Sequence, residues 1–153
     1  MKSVMISIQP KWCELIGNGE KTIEVRKTVP KLEPPFKCYI YCTSGKSLND
    51  VIMSSDRCHV FNEKVIGEFI CDYITKARAD TLKQAYAHNN PEETCLTDHE
   101  LCEYATIGKP LYFWHILELK IYDTPRELGE FARRDGQSIS RAFQSWGYAC
   151  SKE

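Results

Sequence analysis

At 153 residues, 42% hydrophobic and 27% charged, the chain has the size and composition of one globular domain able to bury a real core. A net charge of −1 argues against a protein that coats long duplex nucleic acid, and no apolar run approaches the roughly 18–20 residues of a membrane span. Residues Met1–Ile8 lack the apolar stretch and cleavage site of a signal peptide, so a cytoplasmic protein is expected.

The chain order reads as follows. Val4–Ile8 alternates like a short strand. Pro10 opens a helix carrying Trp12, Leu15 and Ile16 on one side, and Gly17-Asn18-Gly19 ends it. Thr22–Lys27 is a second strand and Lys37–Thr43 a third, apolar enough to be central. Residues 44–62 read as loop, with a short helical turn near Leu48–Met53. Val65–Ile74 is a strong strand with Gly67 a candidate bulge, and Asp80–Ala87 has helical composition. Thr97-Asp98-His99-Glu100 is a capping box opening a helix to Tyr104. Leu111–Tyr122 is the longest strand. Thr124-Pro125-Arg126-Glu127 predicts a further helix to about Arg134, and Gln144–Ala149 a final strand. Strands outnumber crossover helices, which predicts an α+β fold: a small mixed β-barrel with short helices over its ends.

Charge is unevenly spread. Residues 1–46 hold eight Lys/Arg against four Asp/Glu, whereas residues 91–103 are acidic and hold no Lys or Arg. This favours a small basic pocket over a broad nucleic-acid coat. The acidic 92–103 segment is a candidate contact for a protein partner. Eight cysteines form no CxxC pair. Cys38 and Cys42 fall on one strand face as core thiols. The Cys58-His59 and Cys95/His99/Cys102 groups lack the paired spacing of zinc sites, so neither metal nor cofactor is expected.

The most informative stretch is Gly19-Glu20-Lys21-Thr22-Ile23-Glu24-Val25-Arg26. Its period of two puts Thr22, Glu24 and Arg26 on one face and Ile23 and Val25 on the other, with Lys21 able to lean over the polar side. A carboxylate among Lys21, Arg26 and Lys27 suits an anionic or hydrogen-bonding ligand, and equally describes a solvated face.

The Gly19-x-Lys21-x-x-Glu24-x-Arg26 pattern resembles the signature of ASCH domains, a branch of the PUA-like superfamily. The opening Ile6-Ser7-Ile8-Gln9-Pro10-Lys11-Trp12 and the late Tyr112-Phe113-Trp114-His115-Ile116 and Gln144-Ser145-Trp146 resemble the version found in phages and prophages. The resemblance covers nearly the whole chain, as a single ASCH (PUA-like) domain over 1–153. It implies a β-barrel with a cleft beside the Lys/Glu/Arg strand that takes RNA or a nucleotide-like ligand. Some small members deacylate N4-acetylcytidine with a lysine, a threonine three residues later and a glutamate on a following strand. Here Lys21 holds the lysine position, Glu24 stands where the threonine would be, and Glu68 is the candidate second glutamate. A carboxylate does not replace a hydroxyl nucleophile.

The expected ligand-binding set is Lys11, Trp12, Lys21, Glu24, Arg26, Trp114, His115, Gln144, Ser145 and Trp146. The tryptophans are stacking candidates, His115 a donor or general base, and Gln144 and Ser145 readers of a base edge. If the protein is an enzyme, Lys21, Glu24 and Glu68 are the catalytic candidates. Three functions compete: an RNA- or nucleotide-binding module, a hydrolase of a modified nucleoside or a ribonuclease, and a phage-encoded regulator that binds a protein.

Overall fold

Ser3–Ile8 (β1) lies parallel to Phe36–Cys42 (β3), Val4 opposite Cys38 and Ile8 opposite Cys42. A parallel pair needs a crossover, and Pro10–Gly17 (α1) provides its helical part. Pro10 sits where its missing N–H costs nothing, and Gly19 takes a φ of 85° in the turn that follows. The remaining pairings are antiparallel. Ile23–Arg26 (β2) pairs with Pro110–Arg126 (β5), β5 with Lys64–Arg78 (β4), β4 with β3, and β1 with the late strand Trp146–Tyr148 (β7). The order is β2-β5-β4-β3-β1-β7, a mixed sheet of six strands. Pro91–Thr94 (α2) and Asp98–Tyr104 (α3) are short helices beside β2, and Phe131–Ala132 (β6) pairs with Cys150–Ser151 (β8). This computed structural model describes residues 2–45, 61–78 and 90–153. The expected helix over Asp80–Ala87, the turn near Leu48–Met53 and the Cys58-His59 pair lie outside the described residues.

β2 and β7 stand at opposite ends of the strand order, yet side chains join them. Arg26 Nη2 donates to the Ser7 carbonyl at 2.7 Å, and its Nη1 to Ser145 Oγ at 3.2 Å. Trp146 Nε1 donates to Thr28 Oγ1 at 2.8 Å. The sheet therefore curls into a half-barrel whose seam is closed by side chains rather than by a ladder of backbone hydrogen bonds.

Inside the curl lies the main core of Val4, Ile6, Ile8, Phe36, Cys38, Ile40, Cys42, Phe69 and Trp114. Cys38 and Cys42 are fully buried, as their spacing predicted. A second cluster joins Ile23, Val25, Leu111 and Phe113 to Leu101 of α3. Burying Leu101 completely contributes about 1.5–3 kcal/mol toward holding α3 against β2. The capping box of α3 forms as predicted, Thr97 Oγ1 accepting from the Glu100 amide and Glu100 Oε1 from the Thr97 amide.

One expectation is revised and one open alternative is removed. No α-helix covers Thr124–Arg134: β5 continues to Arg126, opposite Val65, and is followed by a 3-10 turn at Leu128–Glu130. β2 covers β5 only from Tyr112 to His115, so Pro125 sits where its missing donor breaks no ladder on that side. The charges of β2 are also not a solvated face. Glu24 is 5% exposed and Lys21 1%.

Candidate functional site

Two connections set the geometry around β2. The tight turn after α1 places Lys21 just before the strand, its amide bonded to the Leu15 carbonyl at 3.0 Å. On the other side, the Thr22 amide donates to the Glu93 carbonyl at 2.9 Å, docking α2 onto the start of β2. Lys21 is thereby enclosed. Its Nζ donates to the Thr94 carbonyl, lies 3.7 Å from Glu24 Oε1 and sits 5.0 Å from the centre of the Trp12 ring.

Glu24 is held from several sides. Its Oε1 accepts from the Val25 amide at 3.1 Å, and its Oε2 from Arg26 Nη2 at 3.3 Å. A carboxylate this buried requires such partners. Burial pushes the Lys21 ammonium below its ordinary pKa of 10.5, and the charge of Glu24 works against that shift.

These side chains line a cavity of about 640 Å³, within the range of small-molecule sites. Its wall includes Ser7, Gln9, Trp12 and Gln144 on the β1/β7 side and Thr43, Ser44 and Gly45 after β3. Leu96, Glu100, Glu103 and Tyr104 complete it from the helical side. Two aromatics line the cavity, each with a lysine over its ring: Lys11 at 4.5 Å from Trp12, and Lys27 at 4.8 Å from Tyr104. Burial raises the pKa of the Tyr104 hydroxyl, with Arg26 opposing. Among the described residues, two cations and three carboxylates face the cavity. It is a mixed-charge, hydrogen-bonding site rather than a phosphate trap.

No protein-family model matches the chain, and no curated protein matches it in sequence. Solved structures do. A tyrosine-to-phenylalanine variant of ZmASCH from Zymomonas mobilis superposes with a TM-score of 0.66 at 18% identity, over 97% of this chain and 90% of that one. A serine-to-alanine variant of the same protein gives 0.66 at 19%, over 96% and 87%. ASCH from Zymomonas mobilis without a named substitution gives 0.65 at 19%, over the same shares. The fold is the ASCH fold. At this identity the likeness speaks for architecture alone.

Within that ASCH fold the expected site residues divide sharply. Lys21, Glu24, Arg26, Trp12 and Gln144 line the cavity. Lys11 does not line the cavity; it lies 4.0 Å from Glu100, which does. Ser145 is engaged by Arg26 through both its carbonyl and its hydroxyl. The other expected contacts lie elsewhere. Trp114 is fully buried as the cross-strand neighbour of Glu24, packed on Phe36 and Trp146, so it is core rather than a stacking platform. Trp146 is half-buried against Trp114 and Tyr148 and holds the seam through Thr28.

His115 points away from the cavity. Its Nδ1 is 2.6 Å from Asp72 Oδ1 and its ring stacks on Tyr73. Glu68 pairs with Lys37 at 3.3 Å across the β3/β4 ladder and does not line the cavity. Reasoning along the chain missed Gln9, Thr43, Ser44, Glu100, Glu103 and Tyr104. Gln9 enters at the turn from β1 into α1; the others follow from α3 folding back over β2 and from where β3 ends, which no local spacing announces. Among the described residues no cluster of His, Cys, Asp or Glu is arranged to hold a metal ion.

Proposed function

We propose that this ASCH-fold chain is an RNA- or nucleotide-binding module whose cavity takes the base of a nucleoside unit and leaves its phosphates outside. The observation that supports this most directly is the buried Lys21–Glu24 pair, 3.7 Å apart, at the wall of a ligand-sized cavity flanked by Trp12 and Tyr104. A perturbed ammonium beside a carboxylate in a cleft is a common mark of a working site. The pair offers one donor and one acceptor at fixed positions, which suits the mixed edge of a nucleobase. Trp12 and Tyr104 offer faces for stacking, worth about 1–3 kcal/mol per base. Glu100 and Glu103 disfavour a phosphate inside the cavity.

Deacylation of a modified nucleoside is the second reading, favoured by the depressed ammonium pKa of Lys21. Against it stands the carboxylate of Glu24 at the position a hydroxyl nucleophile would need, with both oxygens already accepting hydrogen bonds. Glu68 is not beside Lys21 to assist.

Titration with single nucleosides and with short single-stranded RNA at two salt concentrations tests the binding reading. Saturable binding is expected, weakened about 10- to 100-fold by Trp12→Ala. An absence of binding to every nucleoside and oligonucleotide would end it. Release of acetate from N4-acetylcytidine, abolished by Lys21→Met, would replace it with the enzymatic reading.

A further inference from the structure

A second cavity, of about 450 Å³, lies at the other end of the β1/β7 pairing. Lys2, Ser3, Arg134, Tyr148, Ala149 and Cys150 line it. Its chemistry differs from that of the first. Two cations face it and no carboxylate does among the described residues.

Arg134 is positioned by its backbone. It sits in a tight turn in which the Gly136 amide donates to the Arg133 carbonyl at 3.0 Å, with Gly136 at a φ of 86°. The guanidinium carbon then lies 3.5 Å from the centre of the Tyr148 ring, a cation–π contact. Tyr148 is fixed in turn, its hydroxyl accepting from the Lys31 amide at 2.9 Å. The neighbouring carboxylate, Asp135, is turned back to accept from the Gln137 amide at 3.0 Å and does not pair with Arg134. The Ser3 hydroxyl is bonded to the Ala149 carbonyl, which leaves Arg134 and Lys2 as the available donors.

We infer that the Lys2/Arg134/Tyr148 cavity is a phosphate site that holds the backbone of a single-stranded nucleic acid whose base occupies the first cavity. This rests on the proposed function for its second half and on the geometry just given for its first. β1 spans the two places: Ser7 borders the first cavity and Ser3 the second. Four residues of strand separate them by about 13 Å, a distance that a few nucleotides bridge. The base-binding cavity carries too many carboxylates to neutralise phosphate, so an oligonucleotide needs its cations elsewhere on the path. The second cavity supplies two of them, beside an aromatic face.

The test uses a short oligouridylate, uridine and inorganic phosphate against the intact chain and the variants Lys2→Ala, Arg134→Ala and Lys120→Ala. Lys120 is an exposed lysine on β5 that lines neither cavity and controls for net charge. Arg134→Ala and Lys2→Ala are each expected to weaken the oligonucleotide by about three- to tenfold. Each should also flatten the dependence of log K on log salt by about 1, with the affinity for uridine unchanged. Oligonucleotide affinities and salt slopes that match those of Lys120→Ala would overturn the inference. Should neither uridine nor the oligonucleotide bind, the base-binding reading and the nucleic-acid half of this inference fail together, and inorganic phosphate decides the anion site. Saturable phosphate-induced shifts of the Ser3, Ala149 and Cys150 amide resonances, lost in Arg134→Ala, would sustain the anion site. Their absence would end it.

Discussion

Arg26 donates to the backbone carbonyl of Ser7 at 2.7 Å, a bond that ties the end strand β2 to β1 across the open side of the sheet. The same guanidinium holds Ser145 and Glu24. Arg26 therefore closes the barrel and braces the site carboxylate at once. Truncating it would leave Glu24 buried with a poorer partner set. Arg26→Ala is expected to cost about 3–5 kcal/mol in urea unfolding. Arg26→Lys should recover less than half of that, because a single ammonium cannot reach Ser7, Ser145 and Glu24 together. A loss below about 1 kcal/mol for Arg26→Ala would show that the seam does not depend on this side chain.

Lys21 should behave in the opposite way. Its charge is buried at a desolvation cost, and Arg26 still pairs with Glu24 when Lys21 is gone. Lys21→Met keeps the stem and removes the charge, losing a charge-assisted hydrogen bond to the Thr94 carbonyl worth about 1.5–3 kcal/mol while relieving the desolvation of the ammonium. Stability within about 1 kcal/mol of the parent is expected, together with loss of nucleoside binding by at least about tenfold. Unfolding of the variant at neutral pH would reassign Lys21 to architecture.

The two tryptophans that the chain presents most suggestively should separate cleanly. Trp12→Ala is expected to weaken ligand binding, whereas Trp114→Phe should leave it unchanged within about twofold. Trp114 is buried, and its Nε1 has no hydrogen-bond partner among the described residues, so phenylalanine removes an orphaned donor as well as some packing. Calorimetric titration of both variants against one nucleoside compares them directly.

Alkaline pH should weaken the fold through its thiols. Burial raises the pKa of Cys13 and Cys38 well above 9.0, and that of Cys71 from 9.0 to about 12. Above pH 9 the unfolded chain releases these protons while the folded chain keeps them. Each thiol's contribution is therefore complete below its unfolded pKa and falls as pH rises toward the folded one. Lys21 has the reverse sign: its lowered pKa makes the folded state shed a proton first, so its contribution rises with pH toward 10.5. Three thiols against one lysine predict a net fall in the urea midpoint between about pH 8 and pH 10. Cys38→Ala combined with Cys71→Ala should flatten that fall, and an unchanged slope would refute the assignment.

Gly67 of β4 pairs with Ile121 of β5 at close range. A Cβ there would stand 2.4 Å from the Lys120 carbonyl oxygen, a backbone atom that cannot swing aside. Gly67→Ala is expected to destabilise by about 1–3 kcal/mol, read as a lower midpoint in denaturant. A neutral result would mean that the irregular register between Val65 and Gly67 can absorb the extra carbon.

Much of this was legible along the chain, for local reasons. Pro10 and the glycines after it bound a helix, Thr97 and Glu100 cap another, and the period of two in Thr22–Arg26 gives β2 its faces. Gly67 marked the irregular register of β4. The Thr-Pro-Arg-Glu start misled because pairing with β4 overrode a helix-start pattern. Helix signals are local, and strand pairing is not.

The sequence by itself determined which residues share a face and which segments can bury an apolar side, because periodicity and capping act within a few residues of one another. It settled the proximity of Lys21, Glu24 and Arg26 for the same reason. Only the tertiary structure decided that this face is enclosed rather than solvated. It also decided that Trp114 is core, that His115 turns outward to Asp72, and that Glu100 and Tyr104 join the cavity. Those outcomes depend on how far the sheet curls and on where α3 docks. Both are set by contacts between residues far apart in the chain, about which no spacing carries information.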